Sequence, residues 1–259
     1  MSTEVHEVTE LITPGPAQAL AGLLGVPAAG EELPLLWHWV YLLDRPPQDA
    51  LGPDGHQARG GMPVPPGPGL RRMFAGGRVW RHGVLRIGSE ATRRTWQASS
   101  ARKQGRSGPL VFVTVRTEVS QGSQVVITEE QDLVYREPGA DNPARSGPSV
   151  AAAGWDRSVT VDPVLLFRFS ALTYNAHRIH YDREYARGEG YPGLVVHGPL
   201  QALLMAGQAR PVGSEYSYRL VAPLYEDQGM IVSAAPDGDA VRVSCRDTTD
   251  RVTAVGLIS

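Results

Sequence analysis

The sequence predicts an α+β fold made of two similar halves, each with helices followed by antiparallel strands. Residues 77–136 contain four stretches rich in β-branched residues, separated by short turns with Gly and Ser. Residues 216–258 contain a second run of three or four such stretches, which follows an apolar helical pattern. Residues 137–154, between the two runs, are rich in Pro, Gly, Ser and Ala, as interdomain linkers are. The layout therefore indicates two consecutive domains.

The N-terminal half opens with a predicted helix from Thr13 to Gly25, followed by a strongly apolar and aromatic stretch from Leu33 to Leu43. We expect this stretch to form a buried helix that ends before two consecutive prolines. The Pro- and Gly-rich segment 46–69 is long for a loop, which favours a functional or mobile element. The predicted strands of this half are 79–86, 92–101, 109–119 and 124–135.

In the C-terminal half, a predicted strand at 158–161 precedes an apolar helix at 163–172, and a second helix spans 198–209. The predicted strands are 216–223, 230–235, 240–245 and 251–258. We place the domains at 1–138 and 156–259, with a linker at 139–155. No residue-level repeat relates the two halves, so the pattern also admits a generic α+β chain with a β-sandwich.

Composition narrows the class of partner. The formal net charge is −2, with acidic and basic residues interspersed, which favours neither nucleic acid nor a membrane surface as partner. No apolar run approaches the ~20 residues that a membrane-spanning helix requires. Cys245 is the one cysteine, so a disulfide framework and a cysteine-based metal site are excluded. The acidic N-terminal stretch does not resemble a secretory signal, and we expect a cytoplasmic protein.

The segment from Phe169 to Ala206 carries the strongest chemical signal. Asn175, His177 and His180 lie within six positions, and His197-Gly198-Pro199 follows directly before the apolar helix. Titratable and amide side chains beside a helix N-terminus are suited to proton transfer next to an anion or a polarised carbonyl. Proline is favoured in the first helical turn, so the Gly198 N–H is predicted to point out of that N-terminus.

This segment resembles the active-site segment of the MaoC-like hot-dog hydratases and dehydratases. The match rests on the run from His180 to Ala186, which reads HYDREYA, and on four further stretches of the N-terminal half. Those stretches are 51–56, 71–77, 105–116 and 127–135. Taken together, the chain is most similar to the branch that contains the mesaconyl-C4-CoA hydratases and the type 2 hydroxyacyl-thioester dehydratases. The resemblance implies a double hot-dog fold, in which two curled antiparallel sheets each wrap around a helix.

The resemblance also implies roles for individual residues. His180 falls on the catalytic histidine, and Asn175 falls where related hydratases carry aspartate. Because an amide cannot accept a proton as a carboxylate can, His180 is left as the evident general acid and base, and Asn175 as a group that orients water. The Gly198 N–H would polarise the carbonyl of an acyl thioester as enolate charge develops. The implied reaction is the reversible hydration of an α,β-unsaturated acyl thioester.

Several further side chains are candidates for substrate binding. Arg178 either anchors the loop in an ion pair or grips a free carboxylate of the substrate. Arg71 and Arg72 are candidates for a carboxylate or a CoA phosphate, with a solvated surface position as the alternative. We also place Tyr174, His177 and His197 at the site, although packing or loop-stabilising roles remain open for them. No metal is expected, since the loop shows no third ligand beside His177 and His180, and the family uses none.

The partners follow from the same resemblance. The substrate would be an acyl-CoA or an acyl-carrier-protein thioester, with CoA as part of the substrate and no separate cofactor. The N-terminal half, which lacks the motif, would shape the acyl pocket, and a homodimer is compatible with the family. The alternatives are a 3-hydroxyacyl-ACP or -CoA dehydratase of fatty-acid or polyketide assembly, a hot-dog thioesterase, and a non-catalytic acyl-thioester-binding protein.

Overall fold

The computed structural model describes residues 4–58, 63, 65–67, 69–105, 108–137, 154–209 and 214–259. In these residues ten strands form one antiparallel sheet, accompanied by four α-helices. The strands are β1 (His6–Leu11), β2 (Arg71–Arg81), β3 (Glu90–Gly105), β4 (Gly108–Gln121), β5 (Gln124–Arg136), β6 (Trp155–Val159), β7 (Glu215–Leu220), β8 (Met230–Asp237), β9 (Ala240–Arg246) and β10 (Val252–Ile258). The helices are α1 (Pro14–Leu24), α2 (Pro163–Leu172), α3 (Arg183–Gly188) and α4 (Gly198–Gln208).

The two halves of the sheet have the same topology. The strand order is β1-β3-β4-β5-β2-β7-β10-β9-β8-β6, so the first strand of each half lies at an outer edge and the second lies at the centre. Each half is a strand, then helical segments, then four strands. The antiparallel pair of β2 and β7 joins the halves edge to edge, which removes two exposed sheet edges.

A pair of glycines makes this central junction possible. A Cβ atom at Gly76 would lie 2.3 Å from the Tyr218 carbonyl oxygen, and one at Gly77 would lie 2.6 Å from the Tyr218 hydroxyl. The register of β2 against β5 shifts between Phe74 and Gly76, which marks a β-bulge. The predicted first strand at 79–86 was therefore misplaced. The true strand begins at Arg71 and contains the glycine pair.

Helix α4 packs against the strands of the C-terminal half. Leu200, Leu203 and Met205 are almost completely buried, and α4 contacts β8, β9 and β10. The Tyr216 hydroxyl donates to the Ala202 carbonyl oxygen at 3.1 Å, which fixes the helix on β7. One large apolar core runs through both halves and includes residues of α1, α2 and α4. The helix predicted at 198–209 is thus confirmed, and its first residue faces the central junction.

The stretch from Leu33 to Leu43 is buried as predicted, but it is not a continuous helix. Only a 3₁₀ turn at Trp37–Val40 forms, because Leu36 and Leu42 on either side adopt left-handed backbone conformations. The Tyr41 hydroxyl instead bonds to backbone groups at the start of α1. Burial alone explains the apolar composition, so the pattern could not distinguish a helix from an irregular buried segment.

Two further predictions concern connecting segments. The predicted linker at 139–155 lies outside the described residues except for its last two positions, and Trp155 already begins β6. The predicted loop 46–69 is described in its first part, where Leu51 and Gln57 close a tight turn by a bridge pair. Strand β1, which pairs with β3 at the sheet edge, was not predicted from the sequence.

Candidate active site

A cavity of about 330 Å³ lies where the two halves meet, below the N-terminus of α4. Its walls come from β2, β5 and β7, from the loop between α2 and α4, and from the turn at 51–57. The lining residues used below are His56, Arg72, Phe74, Leu133, Asn175, His177, His180, Gly198, Gln201 and Leu220. The loop that the sequence singled out therefore faces a pocket whose opposite wall belongs to the other half.

His180 lies on this wall with one ring nitrogen already engaged. It ends a 3₁₀ turn at Arg178–His180, and its Nδ1 is 2.7 Å from the Val195 carbonyl oxygen. Because a carbonyl only accepts, Nδ1 carries the proton, and Nε2 holds a lone pair. Nε2 makes no hydrogen bond with the described residues. Burial lowers the pKa of His180 to about 4, against the bond to Val195, which raises it. His180 is therefore a neutral base at pH 7.

His197 supports His180 from behind and does not line the cavity. Its ring stacks on the His180 ring at a centroid distance of 3.6 Å. It is fully buried, with Nε2 2.8 Å from the Ser170 Oγ, and the edge of Phe169 closes its other side. A direct substrate contact, which the sequence prediction included, is incompatible with this burial. The position of His197 as the cap residue of α4 explains why it lies inside the core.

Asn175 lines the cavity with its amide oxygen already engaged by the backbone. Its Oδ1 accepts from the His177 backbone N–H at 3.0 Å, closing a turn that only the carbonyl end of the amide can close. The Nδ2 group is left to donate. Tyr174, which precedes it, has a φ of 51° and is 54% exposed, so it is not a packing residue. It lines a neighbouring cavity of about 830 Å³, which shares His56 and Asn175 with the first.

His177 packs against a histidine of the other half. Its ring centroid lies 4.0 Å from that of His56, and the His56 Nδ1 lies 2.9 Å from the Asp54 Oδ2. Burial, followed by the nearby charges of the other histidines, lowers the pKa of His177 to about 2, so it is neutral. Asp54, His56 and His177 bring their ligand atoms within 4.8 Å of one another. The loop alone showed no third metal ligand; the turn at 51–57 supplies two further donor groups.

Sequence reasoning missed Asp54 and His56 as site residues. The stretch from Leu51 to His56 contributed to the family resemblance but was given no role. A carboxylate and an imidazole two positions apart in a Gly- and Pro-rich turn were the available signal. Their distance along the chain from His177 hid the contact, which only the pairing of the two halves creates.

Gly198 is the first residue of α4 and approaches the opposite wall closely. A Cβ there would lie 2.9 Å from the Phe74 Cδ1 and 3.2 Å from the Leu220 Cγ. Its backbone N–H makes no hydrogen bond with the described residues and lies in the first turn of α4, where helix N–H groups lack internal partners. The helix dipole favours negative charge at this point. An oxyanion would meet an open donor here.

The three candidate arginines have different surroundings. Arg178 binds the Asp182 Oδ2 through two nitrogens at 3.1 and 2.7 Å, and it lies over the Tyr185 ring. Arg71 pairs with Glu189, with a nitrogen-to-oxygen distance of 2.6 Å. Arg72 lines the cavity and makes no hydrogen bond or ion pair with the described residues. Of the two alternatives weighed for Arg178, the loop anchor is thus the one observed, while Arg72 is positioned to meet a ligand.

Comparison with known proteins decides the family. The family model for hydroxyacyl-thioester dehydratase type 2 matches residues 36–226, which include the turn at 51–57, the loop at 175–180 and Gly198. The chain belongs to this family. Membership confirms the predicted enzyme class, a hydro-lyase that hydrates or dehydrates acyl thioesters. In the described part of the chain, no helix is long and apolar enough to span a membrane.

Two curated relatives of the dehydratase family can be compared with the chain. A mesaconyl-C(4)-CoA hydratase of Chloroflexus aurantiacus is 52% identical over 225 residues, covering 84% of this chain and 80% of the relative. The mitochondrial hydroxyacyl-thioester dehydratase type 2 of Schizosaccharomyces pombe is 26% identical over 240 residues, covering 78% of each chain. The first relative, at more than half identity, supports the branch that the sequence motifs indicated.

Solved structures confirm the double hot-dog fold. HtdX of Mycobacterium tuberculosis superposes with a TM-score of 0.71 at 17% identity and covers 98% of both chains. A second protein of the same organism, described as having a double hot-dog fold, has a TM-score of 0.59 at 14% identity and covers 99% of this chain and 95% of its own. At these identities the similarity concerns the fold alone.

Proposed function

We propose that this dehydratase-family protein catalyses the reversible hydration of a short, branched dicarboxylic enoyl-CoA of the mesaconyl-C4-CoA type. One observation carries the proposal. Arg72 lines the same cavity as His180 and Gly198, and it has no carboxylate partner among the described residues. An unpaired guanidinium in a half-enclosed pocket is costly unless a ligand compensates it. The name of the C. aurantiacus relative points to the same substrate.

In the proposed hydration step, the His180 Nε2 removes a proton from water as the water oxygen bonds to the β-carbon. The electron pair of the double bond moves through the α-carbon onto the thioester oxygen, which the Gly198 N–H stabilises. The imidazolium of His180 then delivers the proton to the α-carbon, and the neutral base is restored. The Asn175 Nδ2 donates to the oxygen that becomes the product hydroxyl, consistent with its Oδ1 being engaged by the backbone.

The free carboxylate of such a substrate would bind to Arg72. Burial lowers the pKa of His56, and the charge of Arg72 lowers it further, against the hydrogen bond with Asp54, which raises it. Arg72 also lowers the pKa of His177, after larger effects of burial and of the other histidines. These electrostatic effects support a guanidinium close enough to the histidine cluster to meet a free carboxylate of the substrate.

A second candidate function is the dehydration of an uncharged 3-hydroxyacyl thioester. The observation that favours it is the apolar character of part of the cavity, where Phe74, Leu133 and Leu220 form the wall opposite Gly198. The cavity of about 330 Å³ suits a short acyl chain better than a long one. A long fatty-acyl substrate is therefore the less favoured variant of this alternative.

The proposed function also assigns a role to each half of the chain. The N-terminal half, proposed as residues 1–138, shapes the acyl pocket through β2 and β5, and the C-terminal half, 156–259, carries the hydratase motif. The scheme uses only side chains and backbone donors, so we propose that no dissociable cofactor takes part and that CoA enters with the substrate. A homodimer remains part of the proposal as the assembly of the active protein.

The test is an ultraviolet assay of the purified protein with mesaconyl-C4-CoA, itaconyl-CoA and crotonyl-CoA, with products identified by mass. We expect Arg72→Gln to lower kcat/KM for mesaconyl-C4-CoA by about 30-fold or more, since losing one partner of a buried charge pair costs about 2 kcal/mol or more. Turnover of crotonyl-CoA, which lacks the carboxylate, should change little. Arg81→Gln, on the same strand but outside the cavity, is the matched control. Equal losses on both substrates would refute the carboxylate role.

The assay also separates the proposed function from its alternative. Hydration of crotonyl-CoA together with inactivity on both dicarboxylic thioesters would replace the proposal by the uncharged-substrate reading. His180→Gln removes the proposed general base and should lower kcat by about 10²–10⁴-fold on every substrate. Release of free CoA would indicate hydrolysis of the thioester and would contradict both the proposed function and its alternative.

A further inference from the structure

In the proposed reaction one hydrogen of the attacking water passes to His180 and the other stays on the oxygen. A water molecule directs a lone pair at the β-carbon most effectively when both of its hydrogens are held by acceptors. His180 offers one such acceptor, the lone pair on Nε2. On the same loop, the Asn175 Oδ1 already accepts from the His177 backbone N–H and its Nδ2 only donates. A further imidazole acceptor that faces the cavity would therefore complete the arrangement around the water.

The N-terminal half brings an imidazole with a lone pair to the same cavity. The His56 Nδ1 lies 2.9 Å from the Asp54 Oδ2, and the pKa of Asp54 lies well below its usual range although burial alone would raise it, because His56 hydrogen-bonds it. Asp54 is therefore a carboxylate at neutral pH, and the shared proton lies on the His56 Nδ1. Nε2 is left as an acceptor, and it makes no hydrogen bond with the described residues. A carboxylate behind an imidazole fixes its tautomer and stabilises charge on it.

The turn that carries His56 is fixed onto the catalytic loop rather than merely near it. A Cβ at Gly55 would lie 1.8 Å from the Ala176 carbonyl oxygen, so the two backbones are in direct contact. The backbone N–H of Arg178 donates to the Asp54 carbonyl oxygen at 2.9 Å, and its guanidinium donates to the Pro53 carbonyl oxygen at 3.2 Å. This docking also gives Arg178 a role that its sequence position did not reveal.

The ring of His56 is also held in place. It lies against the His177 ring at 4.0 Å, and within the turn the Gly52 N–H donates to the His56 carbonyl oxygen at 2.7 Å. The second Asp54 oxygen accepts from the His56 backbone N–H at 3.0 Å. Side chain and backbone of His56 are thus both constrained by Asp54. Such preorganisation is characteristic of groups that act on a reacting atom.

We propose that His56, oriented by Asp54, is a second catalytic residue of the hydration, whose Nε2 accepts the second hydrogen of the attacking water and so holds the water oxygen for attack beside His180. The inference rests on the proposed function. One O–H bond of water breaks and its proton passes to the His180 Nε2, while the oxygen bonds to the β-carbon. The other O–H bond, held by His56, persists as the product hydroxyl. His180 then returns its proton to the α-carbon, so the atoms of water are accounted for.

The test asks whether an acceptor introduced at position 175 can replace the one removed at position 56. We expect His56→Ala to lower kcat by about 10²-fold or more, within the range for removal of a group that assists proton transfer. Asn175→Asp places a carboxylate acceptor at another position on the cavity wall. Introduced into the His56→Ala protein, it should raise kcat at least tenfold, and it should give no comparable gain in the wild type.

This double-mutant comparison has two outcomes that would overturn the proposal. One is a kcat of the His56→Ala protein within about threefold of wild type. The other is an equal effect of Asn175→Asp in both backgrounds, which would mean that the positions are uncoupled. A merely structural role of His56 predicts the second outcome, since a new carboxylate at 175 cannot restore packing at 56. His56→Gln, which preserves volume, replaces His56→Ala if the latter unfolds.

A further experiment distinguishes acceptance of a water hydrogen by His56 from binding of a metal ion by His56 and its neighbours. Asp54, His56 and His177 have ligand types suited to zinc. We expect kcat to be unchanged after dialysis against a chelator and after addition of zinc. Loss of activity on chelation that zinc restores would overturn the proposal in favour of a metal site. Inactivity of the wild type on all three thioesters would refute the proposed function itself, whereas an active wild type with a fully active His56→Ala variant would refute only this inference.

Discussion

At the level of single residues, the site depends on histidines that are kept neutral by burial. His177, His180 and His197 form a contiguous group inside the fold. The rings of His180 and His197 are stacked with centroids 3.6 Å apart, and His177 meets His180 edge-on with centroids 5.3 Å apart. Burial is the largest cause of the lowered pKa of each. Neutral imidazoles suit a base that must accept a proton from water at pH 7.

This neutrality predicts a loss of stability in mild acid. The folded-state pKa of His180 is about 4, whereas an unfolded chain takes up the proton near pH ~6.5. Below that pH the unfolded state binds more protons, so the free energy of unfolding falls as pH drops from about 6.5 to 4, by up to about 3 kcal/mol for this residue. Urea unfolding at pH 7, 5 and 4 measures this. In His180→Gln the free energy of unfolding should fall less steeply between pH 7 and 4. An identical fall in the two proteins would contradict a lowered pKa of His180 in the folded state.

The sequence predicted part of this residue-level arrangement correctly. Asn175, His177, His180 and Gly198 do meet at one cavity, because all four lie on one loop and the helix that follows it. For Arg178 the sequence left a loop anchor and a carboxylate-binding role open, because its contact with the 51–57 turn is created only by the fold. Of the three arginine candidates, the sequence could not separate Arg72 from the others, since pairing with carboxylates is a property of the tertiary structure.

At the level of elements, the N-terminus of α4 combines two requirements in Gly198. In the proposed reaction this residue exposes a backbone N–H and leaves room for a thioester beside Phe74 and Leu220. Glycine satisfies the second requirement because it has no side chain. Helix α4 itself is anchored by buried leucines and by the Tyr216 hydroxyl, so the donor is rigid.

We therefore expect Gly198→Ala to lower kcat/KM by about 10²-fold, comparable with the loss of one oxyanion donor, because the added methyl group would displace the thioester or move the Phe74 wall. Gly207→Ala is the matched control, since Gly207 lies in the same helix with open space around it. That variant should retain full activity and gain up to about 1 kcal/mol of stability from helix propensity. Steady-state kinetics and thermal melts of both variants check the prediction. Equal activity of the two would contradict a role for the approach at Gly198.

The elements themselves were predictable to different degrees. Helices α2 and α4 were predicted to within a residue because a proline lies in the first turn of each one and an apolar face continues it. The predicted helix at Leu33–Leu43 failed because two left-handed leucines, which nothing in the sequence marks, interrupt it. Strand β2 begins earlier than predicted because it continues through a glycine pair that forms a bulge and a close contact.

At the level of the whole molecule, one sheet and one core join the halves. The β2–β7 pair depends on the approach of Gly76 to the Tyr218 backbone, and Gly76 has a φ of 149°. The core cluster includes residues from α1 through β10. We infer that the halves stabilise each other and that the cavity between them exists only in the joined state.

Gly76→Ala should accordingly destabilise the protein by about 2–4 kcal/mol, since a Cβ would clash with a backbone oxygen and strain the backbone. Gly22→Ala, on the exposed face of α1 with nothing nearby, is the matched control and should be neutral or slightly stabilising. Denaturant unfolding followed by fluorescence and by circular dichroism measures both. A Gly76→Ala protein of wild-type stability would show that the junction tolerates a wider spacing between the strands.

The matching strand orders have a consequence for how this enzyme can change. A symmetric pair of identical halves would have to keep every catalytic group in both copies, whereas a single chain allows each half to specialise. Here the groups proposed to meet the acyl chain, Arg72 and Phe74, lie on strand β2, whereas His180 and Gly198 lie on the other half and His56 on a separate turn. Under the proposed function, substrate preference can thus evolve, or be engineered, by substitutions on strand β2 that leave the 51–57 turn and the catalytic loop in place.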